Sequence, residues 1–388
     1  MSDLSIRAGK ALVDGVLTGP VTLAVTEGRI SAVEPAGAQR SRPVGEIDAS
    51  DVVVVPGLID VHTHGADGVQ VIDGRAEDLD RLASFYAAHG VTGYLATIGG
   101  SMANILAGLQ SVRTHLDRPP AFGARCLGVH LEGPFISPQA LGAFRPDSVL
   151  AADPAVFADL LDAGGGHLRL MTLAPEVPGA DAVIEMAIAN DVVCSVGHSV
   201  ATGDELSRAV DAGVRSVTHV FNAMAPFHHR RPGLVGAVLT EPRLITEVIA
   251  DGIHVHPTAL RLLARVKGAE SIALVTDSIA AAGLPDGGYL FEEQRVTVAD
   301  GAARLDAGTL AGSTLTLDRA VANFARWADI AWEDAVVSAT MVPARLLGLQ
   351  GQRGEIAVGQ NADLAAFDAD HELVWTMVAG NLQAGNGR

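Results

Sequence analysis

The sequence predicts an α/β protein: a (β/α)8 TIM-like barrel carrying a small β-sandwich domain built from both termini. Three observations carry that expectation. Eight β-type runs rich in Val, Ile, Leu or Thr follow one another through the middle of the chain, mostly separated by helix-length stretches. The two ends read differently, as short strands broken by turn signals. Residues able to hold metal recur at the ends of the runs, where a parallel barrel gathers its functional groups on one face.

Taken in order, residues 1–52 form the N-terminal part of the small β domain. VTLAVTEGRISAVEP places the Glu27-Gly28 pair between two alternating runs. The barrel occupies residues 53–348, and its strands are VVVVPGLIDV, TGYLATIG, CLGVHLEG, HLRLMTLA, VVCSVGH, SVTHV, LITEVIAD and IALVTD. Amphipathic stretches such as AEDLDRLASFYAAHG and ADAVIEMAIAND lie between them, with Gly or Asn-Asp as helix stops. Residues 349–388 return to short strands in GEIAVGQNADLAAFDADHELVWTMVAGN. Neither end is long enough for an independent core, so the two are expected to fold together.

Composition narrows the function. Of 388 residues, 48% are apolar and 19% charged, a globular balance, and no apolar stretch approaches the roughly 18 residues needed to span a bilayer. MSDLSIRAGK shows no apolar secretory core, which points to the cytoplasm. A formal net charge of −18 argues against nucleic-acid or anionic-membrane partners, both of which require clustered positive charge. Any anionic substrate must then be held by local donors. Cys126 and Cys194 lie in separate apolar runs without CxxC spacing and read as buried core residues.

The chemistry concentrates in five segments: His62 and His64 in VHTHG, Glu132 in HLEGP, His198 in VGHS, His219 in THVFNAM, and Asp277 in VTDS. Neutral imidazoles and carboxylates bind Zn²⁺ or Fe²⁺ with a position left open for water, whereas closed structural zinc sites favour thiolates. A lone His in an apolar run is more often a hydrogen-bonded core residue than a ligand. Here the set falls at the ends of runs one, three, five, six and eight, and that regularity favours ligands. Asp277 has the alternative of capping a helix before SIAAAG.

PGLIDVHTHG, GVHLEGPFISP, SVGHS, THVFNAMAPFHHRRPGLVG, IADGIHV, LVTDSIAAAG and LAGSTLTLDRAV together resemble the N-acetylglucosamine-6-phosphate deacetylases of the amidohydrolase superfamily, from about residue 52 to the C-terminus. The resemblance implies hydrolysis of an N-acetyl group to acetate and glucosamine 6-phosphate, in amino-sugar catabolism and recycling. It makes Glu132, His198 and His219 the principal metal site and His62 with His64 a second. The cofactor is then one or two divalent ions, zinc first, with Fe, Co, Mn or Cd as alternatives. Asp277 becomes the general base and then acid. Asn222 and the backbone of Ala223 match a phosphate-contacting turn, His254 a substrate-binding histidine, and Gly142, Ala143 and Leu310 further substrate contacts. Arg230 resembles a basic residue reaching the phosphate across a homodimer interface.

Other details of the sequence bear on that resemblance. HHRRPG is a basic cluster in an acidic protein, and the planar fork of Arg230 suits bidentate phosphate binding; a solvated surface turn is the plain alternative. His256, next to Pro257, reads as a helix cap or loop contact. The chain's only lysines are Lys10 and Lys267, so no lysine between His64 and His198 can serve as the carboxylated bridge of other amidohydrolases, and Glu132 is the candidate instead. One departure stands out: where the family usually shows Gly-Ala-His or a similar polar ending after HLEGPF, this chain has LGAF, with Phe144. A phenyl ring cannot donate a hydrogen bond to a reacting carbonyl, so either the metal alone polarises it, or a neighbour such as Arg145 substitutes, or the preferred substrate differs. Remaining alternatives are N-acetylgalactosamine 6-phosphate as substrate, another amidohydrolase acting on a cyclic amide, and a catalytically silent barrel.

Overall fold

The computed structural model describes residues 4–36, 45–72, 75–120 and 122–383, so the first three residues of the N-terminal stretch read above lie outside it. The eight barrel strands are β1 (Leu58–Thr63), β2 (Val91–Ile98), β3 (Arg125–Glu132), β4 (Leu168–Leu173), β5 (Val193–Val196), β6 (Ser216–Val217), β7 (Ile245–Ile249) and β8 (Ile272–Val275). Each pairs in parallel with its sequence neighbour. Helices cover the outer face, so both faces of the sheet are dry and the strands read as continuous apolar runs rather than alternating ones.

A helix follows each strand, the first being Ala76–Ala88 and the fourth Ala180–Ala189. They stop where the sequence signals them, at Gly90 with φ 79° and at Asn190 and Asp191, the latter with φ 57°. His256 does cap helix Pro257–Lys267, its Nδ1 accepting the Thr258 N–H at 3.1 Å. The last seam closes just beyond β8. The Asp277 N–H donates to the His62 carbonyl at 2.8 Å, and Thr63 and Ser278 form a parallel bridge. Beneath it the buried carboxylate of Asp60 accepts from the Thr276 hydroxyl at 2.6 Å and from the His62 N–H at 3.2 Å.

The termini meet in one eight-stranded sheet. Its centre is strand Gly45–Pro56, parallel to Leu4–Val13 on one side and antiparallel to Leu364–Phe367 on the other. The sheet folds over its own core of Ile6, Leu23, Ile30, Val54 and Leu364, where Ile30 exchanges backbone hydrogen bonds with Gln360 and Gly359 at 2.9 and 2.8 Å. The Glu27-Gly28 turn has φ 52° and 77°, the positive pair that a tight hairpin requires.

Two features differ from the sequence expectation. VVVVPGLIDV is not one strand: residues 52–56 end the terminal-sheet strand and β1 starts at Leu58. Both pieces are buried, so the run has no periodicity change to betray the break. At the break Gly57 fits against Thr92, where a Cβ would lie 2.2 Å from the threonine side chain. A three-stranded meander, Gly287–Phe291, Gln294–Ala299 and Ala302–Leu305, is also inserted after β8, before the eighth helix Leu317–Ala328. It packs Phe291 against the barrel mouth, and Gln294 donates to the Ala143 carbonyl at 2.8 Å.

Candidate active site and metal centre

The strand ends deliver their side chains to a single buried cluster. Glu132 closes β3, and His62 and His64 stand two apart at the end of β1, which puts them on the same side of the strand. His198, His219 and Asp277 each lie two residues past a strand end, and each takes a left-handed backbone, with φ 46°, 30° and 48°. Such conformations cost about 1–3 kcal/mol apiece and persist where surrounding packing fixes them. Before His198, Gly197 allows the turn because a Cβ there would lie 2.7 Å from Thr218 and 2.8 Å from Thr172.

The donor atoms converge tightly. Nε2 of His198 and Nε2 of His219 are 3.0 Å apart and lie 3.1 and 3.0 Å from Glu132 Oε1. His64 Nε2 is 3.1 Å from Oε2, the second oxygen of the same carboxylate, and His62 Nε2 is 3.6 Å from Oε1. Asp277 Oδ1 lies 3.3 Å from His64 Nε2 and 3.4 Å from His62 Nε2. Two three-residue groups that share Glu132 thus have metal-holding geometry: His62, His64, Glu132 and Glu132, His198, His219.

The surroundings leave lone pairs pointing inward. His198 donates from Nδ1 to the Ala140 carbonyl at 2.9 Å, and His62 from Nδ1 to Glu247 at 3.1 Å, so both Nε2 atoms are free to coordinate. His62 Nε2 is buried and has no hydrogen-bond partner. Burial opposes charge on His64, yet Glu132 and Asp277 outweigh it and lift its pKa to about 9; His62 is driven well above its ordinary value by the same carboxylates. The cluster therefore draws positive charge into a dry interior. A divalent cation fits that demand and the all-N/O donor set.

Above the cluster is one cavity lined by His64, Glu132, His198, His219 and Asp277, and also by Gly142, Ala143, Phe144, Asn222, Ala223, His254 and Leu310. Nearly every site residue named from the sequence is in it. His62 lies beneath, fully buried. Asn222 is held over the His219 turn by donating to the His219 and Val220 carbonyls at 3.2 and 3.3 Å. His254 is oriented by Asp251, 2.6 Å from its Nδ1. Phe144 packs edge-on against the His198 ring, centroids 5.0 Å apart. Arg230 is the exception: it is exposed on its loop beside His229 and does not line the cavity.

Sequence reasoning missed several residues. Phe291, 5.3 Å from the His64 ring between centroids, belongs to the unforeseen meander. Glu247 and Asp60 support His62 from within apolar runs, where an acidic residue in the middle of a β-type stretch was the available signal. Glu292, at the meander's first turn, is 2% exposed with neither carboxylate oxygen hydrogen-bonded; burial raises its pKa to about 8.

Residues 53–386 match the model of the amidohydrolase family. The chain is 36% identical over 367 residues to the N-acetylglucosamine-6-phosphate deacetylase of Bacillus subtilis, covering 92% of this chain and 91% of that protein. It is 35% identical over 378 residues to the N-acetylgalactosamine-6-phosphate deacetylase of Escherichia coli O157:H7, covering 97% and 98%. The crystal structure of N-acetylglucosamine-6-phosphate deacetylase from Mycobacterium smegmatis superimposes with a TM-score of 0.90 at 32% identity, over 99% of this chain and all of that one. Its counterpart from Pasteurella multocida gives 0.92 at 29% identity, with the same coverage. The chain belongs to the amidohydrolase family, alongside the N-acetylated amino-sugar 6-phosphate deacetylases.

Proposed function

We propose that the protein hydrolyses the acetamido group of N-acetylglucosamine 6-phosphate to acetate and glucosamine 6-phosphate, in amino-sugar catabolism. The observation that carries this reading is the convergence of Glu132, His198, His219 and the Asp277 carboxylate on one cavity that Asn222, Ala223 and His254 also line. Glu132, His198 and His219 would hold a divalent ion, zinc first with Fe, Co, Mn or Cd as alternatives, and His62 with His64 a second. Such an ion supplies a nucleophile at neutral pH and polarises the amide carbonyl. Phe144 offers no hydrogen bond to that carbonyl, and the neighbouring Arg145 is exposed and paired with Asp147 at 2.9 and 2.7 Å, which would leave polarisation to the ion.

Asp277 does the proton work. Burial opposes its charge, and in the ion-free site His62 and His64 hold its pKa near 2; with those histidines neutral as ligands, a bound cation would keep it ionised instead, a carboxylate placed to take a proton from the attacking water. It then passes that proton to the departing nitrogen, one group acting as base and then acid. Asn222, the Ala223 backbone and His254 would orient the sugar phosphate, with Gly142, Ala143 and Leu310 enclosing it. Arg230, exposed here, would reach the phosphate of a second copy in a homodimer. Two free cysteines suit a reducing cytoplasm, and among the described residues no helix is long and apolar enough to cross a membrane.

The relative named for the galacto epimer, matched over almost its whole length, keeps that sugar as a second reading. Acetate release should be measured from both N-acetylhexosamine 6-phosphates and from the unphosphorylated sugars. The gluco 6-phosphate should be turned over with the highest kcat/KM, and the free sugars at least about 10²-fold less well for want of a charge-assisted phosphate contact. Equal rates with and without phosphate would sink the phosphate assignment, and a higher kcat/KM for the galacto epimer would exchange the two substrates.

A further inference from the structure

Strand β7 carries a carboxylate that the hydrolytic steps leave unused. Glu247 stands in the middle of Ile-Thr-Glu-Val-Ile, with none of its surface exposed. One oxygen, Oε2, lies 3.1 Å from His62 Nδ1 and accepts the backbone N–H of His219 at 3.4 Å. The other, Oε1, is buried without a hydrogen-bond partner. Among the described residues its only ion-pair partner is His62. A carboxylate charge taken wholly out of water is strongly unfavourable unless a positive charge lies close by, and no arginine or lysine is paired with this one.

We infer that Glu247 is a positioning residue for the metal centre, fixing the ring and tautomer of His62 and balancing the charge of an ion held by His62 and His64. This rests on the metal-centre reading above. As the acceptor at Nδ1, Glu247 leaves the His62 lone pair on Nε2, the atom facing Glu132 and Asp277. Through Oε2 it also holds the chain at His219, so one side chain ties a ligand of each half together. Glu132, Asp277 and Glu247 all stand around the His62 ring, so the carboxylates gather in the His62/His64 half, and that is where a second ion belongs.

The test reads metal binding rather than activity. Chelator-stripped parent, Glu247→Gln and Glu247→Ala proteins are titrated with Co²⁺, following visible absorption and bound metal after equilibrium dialysis. The parent should take two equivalents. In Glu247→Gln the second should bind about 10- to 100-fold more weakly, the usual cost of losing a partner behind a ligand, while the first shifts by less than about threefold. Glu247→Ala, which loses the acceptor as well as the charge, should weaken the second further. A parent that binds one equivalent only, or variants that take two with parental affinity, overturns the role of Glu247. A parent that binds no ion at all sinks the metal-centre reading instead. Should neither variant fold, the metal-loaded parent labelled with ¹⁵N-histidine decides: His62 should carry its proton on Nδ1, giving a downfield imidazole N–H resonance absent from His62→Gln, and a proton on Nε2 overturns the proposal.

Discussion

The two halves of the metal centre share Glu132 but are built differently. In one, His198 and His219 close on Glu132 Oε1 with all three separations between 3.0 and 3.1 Å, and the His198 ring is pinned by a backbone carbonyl. In the other, His62 and His64 stand 3.1 to 3.6 Å from Glu132, with Asp277 at 3.3 to 3.4 Å and Glu247 behind. The first half is compact and takes one carboxylate oxygen. The second is looser and surrounded by three carboxylates. An ion in the first half would then depend on shape, and one in the second on charge. On the proposed mechanism Asp277 must also stay free to carry a proton, so tight ion binding in the second half would compete with that role.

Removing ligands one half at a time should break this comparison if it is wrong. His198→Ala leaves only Glu132 and His219 in the compact half, and it should abolish tight metal binding there and lower turnover by several orders of magnitude. Metal content after gel filtration, together with acetate release, measures both. Asp277→Asn should come next: kcat falls by about 10²- to 10⁴-fold while the compact half keeps its ion, as expected for loss of a general base and acid. A near-parental rate would remove Asp277 from the chemistry. His64→Ala should lose the second equivalent, keep the first, and cost only about tenfold in kcat/KM. If instead His64→Ala came out metal-free and His198→Ala kept its ion, the ranking of the halves would have to be reversed.

Much of this was legible in the chain because strand ends and ligand types coincide. All eight runs contain barrel strands, and HLEGP, VGHS and VTDS each put their residue at the mouth. The length of β6 was not legible. Only Ser216 and Val217 of SVTHV pair, since the chain turns away to reach the left-handed backbone of His219, and left-handed geometry at a histidine leaves no mark in composition. The supporting carboxylates were hidden for another reason. Asp60 in LIDV and Glu247 in LITEVI are surrounded by apolar neighbours, so hydropathy absorbs them into the strand, although an acid there needs a buried partner to justify it. The meander over His64 was missed although GGYLFEEQRVTVADGAARL alternates and turns at Asp300 and Gly301, both with positive φ. Arg230 stands apart: it is exposed on its loop beside His229 and away from the cavity, so its part in phosphate binding rests on the proposed homodimer.

Glu292 offers the smallest effect, and it tests whether the charge-governed character of the looser half extends to its roof. Burial lifts its pKa from the ordinary 4.5 to about 8, against the pull of His64 and with Glu132 and Asp277 adding to the rise. Between those values the folded protein holds a proton that the unfolded chain has released, so folding stability declines as pH climbs from about 5 to about 8. Glu292→Gln replaces the acid by a neutral group of the same shape. In chelator-treated protein the variant and parent should melt within a degree or so of each other near pH 5, and the variant should gain a few degrees by pH 8. Adding metal should shrink the difference, because a cation beside His64 favours the ionised carboxylate and lowers its folded pKa. If the two melting curves move in parallel across that range, with or without metal, the roof carries no titrating charge, and the electrostatic contrast between the halves stops at Asp277 and Glu247.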